Sequence, residues 1–258
     1  MPKQSMFYFI FKVLSSLTLG LILVSCSANS TRIDSPLFAS KVLDNTECVV
    51  LVHGLWRDSL SMSSIANNLE EHGYRTISAD YPSTQENIPD LVKGFLSKSF
   101  DGCVQTGAEK VHFVSHSMGG ILIRQFLQDR TLPAGSRVVM LSPPNQGSEL
   151  SDKFGDTWWY QWVVGPAGVS LSTKQNGIIS QLKKIDASVG IIAAYRDWSY
   201  WPEAWLPQPN DGTVSVESMK LAEMDDFIMI YSGHGFMRYN DEVQNQIRQF
   251  LTVGEFAR

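Results

Sequence analysis

Short apolar runs alternating with residues at helical spacing constrain this chain more than any other feature. Cys48-Val49-Val50-Leu51-Val52 is a β-branched run ending at His53-Gly54, and Met62, Ile65 and Leu69 follow at intervals of three and four until Gly73. The rhythm returns as Tyr74 to Ala79 with a helical segment around Leu91 to Phe100, then Val111 to Val114 with Ile121 to Leu127, then Val138 to Leu141. After an interruption come Val189 to Ala194 and Phe227 to Tyr231, and Val243, Ile247, Phe250 and Leu251 mark a closing amphipathic helix. Runs that are apolar at every position bury both faces of a strand, and strand–helix alternation joins strands by crossovers. The pattern therefore predicts an α/β fold with a parallel sheet covered by helices. Across 258 residues, 43% are hydrophobic and 18% charged, enough apolar surface for one large core. The net charge of −5, with no Lys/Arg-rich run, gives no field for a phosphate backbone, so no nucleic-acid partner is expected.

The first residues are set apart. Lys3 and Lys12 flank the opening, Val13 to Val24 is almost wholly apolar, and Leu23-Val24-Ser25-Cys26 precedes the polar Ser27-Ala28-Asn29-Ser30. A basic start, a short apolar stretch and small residues at its end read as a signal peptide over 1–25. A membrane-spanning anchor is the competing reading, but Lys12 interrupts the run and the apolar part falls short of the ~20 residues a bilayer needs. Leu23-Val24-Ser25-Cys26 resembles the bacterial lipobox, which implies that Cys26 is lipidated and becomes the mature N-terminus, anchored in the cell envelope. Ser27 rather than Asp after the Cys suggests, by resemblance to enterobacterial sorting, the outer membrane, with the protein facing the periplasm. Removing residues 1–25 takes away two Lys and no acid, moving the net charge from −5 to −7. The acyl chains rather than charge would then hold the protein to the membrane. Residues 26–47, rich in Ser, Asn and Asp, read as a tether, and 48–258 as the folded domain.

Val111-His112-Phe113-Val114-Ser115-His116-Ser117-Met118-Gly119-Gly120-Ile121 carries the chemistry. A strand passes straight into a helix through a turn with Ser117 at its apex, the setting of a nucleophile elbow, where the residues two before and two after the Ser must be small. Gly119 meets that requirement, and Ser115 stands where the usual pattern has Gly. The plain alternative is a Ser that only caps a helix.

At these residues the chain resembles a serine lipase or esterase of the α/β-hydrolase superfamily. The matched segments run in order from Leu51-Val52-His53-Gly54-Leu55, through Ser115 to Gly120, Pro143-Pro144-Asn145-Gln146-Gly147-Ser148 and Asn210-Asp211-Gly212-Thr213-Val214, to Gly233-His234. The resemblance implies a central sheet of about six strands, without the first two strands of the full fold. It also implies a triad of Ser117, Asp211 and His234, and no metal or organic cofactor. His53-Gly54 would shape the loop that presents one oxyanion-hole N–H, with Leu55 and Met118 as the donors and the Trp56 amide as the alternative. The substrate would be an acyl ester, with an apolar acyl part. Acyl transfer to an acceptor other than water, or a binding lipoprotein that keeps the fold without turnover, are the competing functions.

The residues themselves agree. Ser117 needs a base, and the base needs a carboxylate to fix its tautomer. Of the five His, only His234 follows the last strand in a Gly-flanked loop, where open α/β sheets place their ligands. Two carboxylates compete to serve it: Asp197, soon after the strand Val189 to Ala194, and Asp211, whose neighbour Gly212 eases a tight turn. We favour Asp211. Six of the seven Trp lie between Trp158 and Trp205, three of them in an insert over about 143–188 that reads as a small cap. Their rings would either wall a substrate pocket or fill the cap's own core. With Cys26 acylated, Cys48 and Cys103 remain as the only pair in an oxidising compartment, each near the end of the sheet opposite the active site, and a disulfide between them is expected.

Overall fold

A computed structural model of the chain describes residues 46–174, 177–197 and 205–258. The signal sequence, Cys26, all but the end of the tether, and Trp198 and Trp201 lie outside the described residues. Six parallel strands form one sheet: β1 (Glu47–Val52), β2 (Arg75–Ala79), β3 (Lys110–His116), β4 (Arg137–Leu141), β5 (Ser188–Tyr195) and β6 (Asp226–Tyr231), in the spatial order β2-β1-β3-β4-β5-β6. Every predicted strand is present, with ends moved by one or two residues where polar ends continue the ladder, as at Lys110 and His116.

Successive residues of the central strands feed two cores. Cys48, Val50 and Val52 of β1 belong to one, and Val49 and Leu51 to the other. The first core receives α2 (Ile88–Leu91), α3 (Ser97–Gln105) and α4 (Gly119–Phe126). The second receives α1 (Ser63–Glu71) and, from the far end of the chain, α8 (Asp241–Val253). The segment predicted as helical around Leu91 to Phe100 is longer, because Asn87 caps the N–H of Asp90 at 2.9 Å and a π-helical turn over Val92–Leu96 carries α2 into α3. Helix α8 is closed at both ends. Asn240 accepts from the N–H groups of Glu242 and Val243, and Gly254 takes the left-handed turn that ends it.

The insert between β4 and β5 holds α5 (Glu149–Phe154) and α6 (Trp158–Val169), and α7 (Val216–Met219) lies before β6. The Pro143 to Ser148 segment ties this cap to the body. The Gln146 N–H donates to the Ser218 carbonyl, the Ser148 N–H to the Leu171 carbonyl, and the buried Arg124 guanidinium to the Asn145 carbonyl. A kink at Gly165 docks α6 on the loop after β2, where an added Cβ would fall 1.8 Å from the Thr84 carbonyl oxygen. At the opposite end of the sheet, Cys48 and Cys103 are joined in a disulfide with Cα atoms 5.7 Å apart.

Candidate active site

Strand β3 ends at His116, and Ser117 reverses the chain with φ of 55°, a left-handed conformation that residues bearing a Cβ rarely adopt. Its N–H donates to the Leu141 carbonyl at 2.8 Å, and α4 starts two residues on. The turn leaves no room for side chains around it. A Cβ on Gly119 would lie 2.4 Å from the Val52 carbonyl oxygen, and one on Gly54 would lie 3.0 Å from the Cβ of Ser117. Ser115 fits in place of the usual Gly, fully buried, with its hydroxyl lacking a protein partner.

The segment around Asp211 is stapled by its neighbour. Asn210 donates to the Leu206 and Pro207 carbonyls and accepts the Gly212 N–H at 2.9 Å, while Gly212 turns the chain with φ of 94°. Asp211 is buried. One carboxylate oxygen accepts the N–H groups of Thr213 and Val214, both at 2.9 Å, and the other lies 2.6 Å from Nδ1 of His234. A carboxylate only accepts, so Nδ1 of His234 carries the proton and Nε2 is left as an acceptor. The His234 N–H also donates to the Asp211 carbonyl at 3.0 Å. Asp197 sits exposed two residues past β5, and His234 pairs with Asp211 instead.

His116 has a role that the sequence reading missed. Its Nε2 donates to the His234 carbonyl at 2.8 Å, the two rings lie 4.7 Å apart, and its Nδ1 is buried without a protein partner. Burial, reinforced by His234, pushes its pKa well below the ordinary 6.5, so it stays neutral beside the base. The one sequence signal is its place between two elbow serines, and its ring lines the same cavity as Ser117.

Leu55 and Met118 have backbone N–H groups with no protein acceptor among the described residues, whereas the Trp56 N–H is already donated to Ser83 Oγ at 3.1 Å. His53 does not face the site. Its ring stacks on Tyr81 at 3.8 Å, Nδ1 lies 2.9 Å from the Gly54 carbonyl oxygen, and the Tyr81 hydroxyl donates to the His53 carbonyl. Burial lowers the His53 pKa and raises that of Tyr81, so both are neutral scaffolding for the loop.

Ser117, His234, Leu55 and Met118 line one cavity of about 370 Å³, whose walls include Trp56, Leu150, Val164, Leu171, Val214 and Tyr160. A larger depression of about 580 Å³ on the cap touches none of the four. Neither expectation for the cap Trp holds in full. Trp159 and Trp205 cluster with Phe154, but Trp158 and Trp162 are 79% and 81% exposed, and none of these four described Trp lines the cavity. The correction has a helical cause. Tyr160 and Val164 take the inner face of α6, so Trp158 and Trp162, two positions earlier, point about 200° away.

The sequence profile of the alpha/beta hydrolase family matches residues 49–241, and the chain belongs to that family. Its fold is shared with the mature form of Bacillus licheniformis lipase BlEst2, which is 20% identical with a TM-score of 0.64, over 80% of this chain and 91% of that one. A lipase-esterase related protein from Clostridium acetobutylicum is 15% identical with a TM-score of 0.58, over 81% of this chain and 96% of its own. Phospholipase PlaB from Legionella pneumophila is 14% identical with a TM-score of 0.59, over 81% of this chain and 58% of its own. No curated protein matches the chain by sequence. The family and these folds support a hydrolase.

Proposed function

We propose that the protein is a serine carboxylic-ester hydrolase, held in the bacterial envelope by a lipid on Cys26. The observation that carries the reading is the 2.6 Å pairing of His234 Nδ1 with the buried Asp211 carboxylate, in a cavity that His234 shares with Ser117 at a left-handed turn. Ser117 Oγ attacks the ester carbonyl carbon as His234 Nε2 takes its proton. The oxyanion is met by the Leu55 and Met118 N–H groups, and the alcohol leaves with the proton returned by His234. Water, deprotonated by the same imidazole, then attacks the acyl-Ser117 ester and releases the acid. Asp211 holds the tautomer and the imidazolium charge. A cavity walled by Leu55, Leu150, Val164, Leu171 and Val214 suits an apolar acyl group.

A fluorophosphonate probe tests the reading. It should label Ser117 in the wild type and give no label in Ser117→Ala; an unlabelled wild type would leave a binding lipoprotein as the better account. Product analysis with a competing alcohol separates hydrolysis from acyl transfer by the same residues. Anchoring is tested by Cys26→Ser, which should abolish lipid incorporation. A normally processed, membrane-retained Cys26→Ser protein would sink that part.

A further inference from the structure

We propose that the outer face of α6 is a docking surface for the interfacial region of a lipid bilayer, with Trp158 and Trp162 as the inserted side chains. The helix is apolar on both sides. Between Trp158 and Val169 there is no charged residue, Gln161 is the one amide, and the Tyr160 hydroxyl is paired with Ser151 on the inner side. Tyr160 and Val164 use one face to wall the catalytic cavity. The other face holds Trp158 and Trp162, one turn apart, 79% and 81% exposed, with Trp159 beside them at 44%. A helix that is apolar all round belongs in a core or in lipid, and this one is open on one side. An apolar patch of this kind marks a contact surface.

Three observations select a bilayer over a protein partner. Two indole rings so exposed present on the order of 400 Å², about half of the ~800 Å² per partner that a stable dimer buries. Indole has a broad apolar ring and one N–H that stays hydrated, which is the chemistry of the headgroup boundary rather than of a dry interface. The chain outside the described residues supplies the rest, and here the proposal rests on the anchoring by Cys26. Residues 26–45 span up to about 70 Å when extended, against a radius of gyration of about 17 Å for the domain. A contour of that length exceeds the size of the domain, so anchoring at Cys26 is compatible with any face meeting the membrane at high local concentration, and a weak patch is sufficient to choose the face. Docking by α6 places the wall of the catalytic cavity one helix diameter, about 10 Å, from the lipid.

The test uses the full chain purified in detergent and reconstituted into vesicles of phosphatidylethanolamine and phosphatidylglycerol, with and without bromine on the acyl chains. Bromolipid should quench Trp emission in the wild type, and Trp158→Ser with Trp162→Ser should cut that quenching at least about twofold. The melting temperature and the cleavage of a water-soluble ester should stay unchanged, and Phe at both positions should keep vesicle contact as read by limited proteolysis of the cap. The mass of the same preparation reports the acyl group on Cys26 separately. If it is absent, the measurement is made at saturating vesicle excess, and quenching that persists there supports the docking face while removing the anchor. Quenching that is absent from the wild type, or unchanged in the double Ser variant, overturns the proposal. A wild type that sediments as a dimer and becomes monomeric in that variant overturns it in favour of a second copy of the chain.

Discussion

The two ends of the sheet are built differently. At the end where the strands start, left-handed turns fall on glycine: Gly73 before β2, Gly107 before β3 and Gly135 before β4. At the end where they finish, Gly147 and Gly212 take such turns as well, but so do Trp56, Ser117 and Ser142, each of which carries a Cβ in a conformation that costs on the order of 1–3 kcal/mol. Among the described residues, the starting end is also densely paired. Glu47 holds Lys110 and His112, Ser136 Oγ accepts the Val111 N–H, Arg137 caps the last carbonyls of α8, and the Cys48–Cys103 disulfide crosses the same layer. Buried polar atoms without a protein partner gather instead around the finishing end, at His53, Ser115 and His116. One end of the sheet supplies stability, and the other spends it on an open oxyanion loop and a half-buried serine at a strained turn.

The sharpest way to break this contrast is at Ser117. Ser117→Gly should lower kcat by on the order of 10⁶ if Ser117 is the nucleophile, yet chemical denaturation should show stability retained or raised by up to about 1 kcal/mol, since glycine adopts this φ without strain. A Gly variant that is markedly less stable would mean the turn is not strained. Next comes the carboxylate. Asn at 211 keeps the shape but presents the wrong imidazole tautomer, so Asp211→Asn should cost about 10⁴ in kcat while Asp197→Asn stays within about tenfold. The reverse ranking in steady-state kinetics would move the acid to Asp197.

The disulfide probes the stable end. It closes a 55-residue separation, for which chain entropy gives up to about 4 kcal/mol. Cys48→Ala with Cys103→Ala should lower the denaturation midpoint accordingly and leave kcat per folded molecule unchanged. A kcat that fell with stability would show that the two ends are coupled rather than separate.

How much of this was readable beforehand follows the same divide. The central strands β1, β3, β4 and β5 announced themselves because burial on both faces demands largely apolar runs, and Gly54, Gly119 and Gly212 because close approach or positive φ excludes a Cβ. Spacing could not show where α6 points its Trp residues, since that depends on which face meets the cavity, nor the kink at Gly165, which is set by the Thr84 carbonyl. His116 escaped notice for a related reason. A side chain buried beside the elbow serine acquires its role from a loop 118 positions away.

The smallest expected effect concerns acid. His112 is buried in β3, accepts the Arg137 N–H on Nδ1 at 3.0 Å and faces Glu47 through Nε2 at 3.2 Å; burial pulls its pKa from 6.5 down to about 4 in spite of that carboxylate. Between those two values the unfolded chain binds a proton that the folded chain refuses, so stability must fall as pH drops from about 6.5 to about 4, by on the order of 3 kcal/mol for this group. Glu47 acts in a lower window, because its pKa is lowered from 4.5 and its contribution is lost only as pH falls through the folded value. His53 and His116, also buried and neutral, add acid sensitivity at the opposite end. Comparing His112→Gln with the wild type isolates the first contribution, as Gln keeps an acceptor for Arg137 and does not titrate. Urea denaturation at pH 7 and pH 4.5 should show the variant losing about 2 kcal/mol less than the wild type. A difference below about 0.5 kcal/mol would place the acid weakness among the histidines of the catalytic end, and the base of the sheet would then be stable throughout.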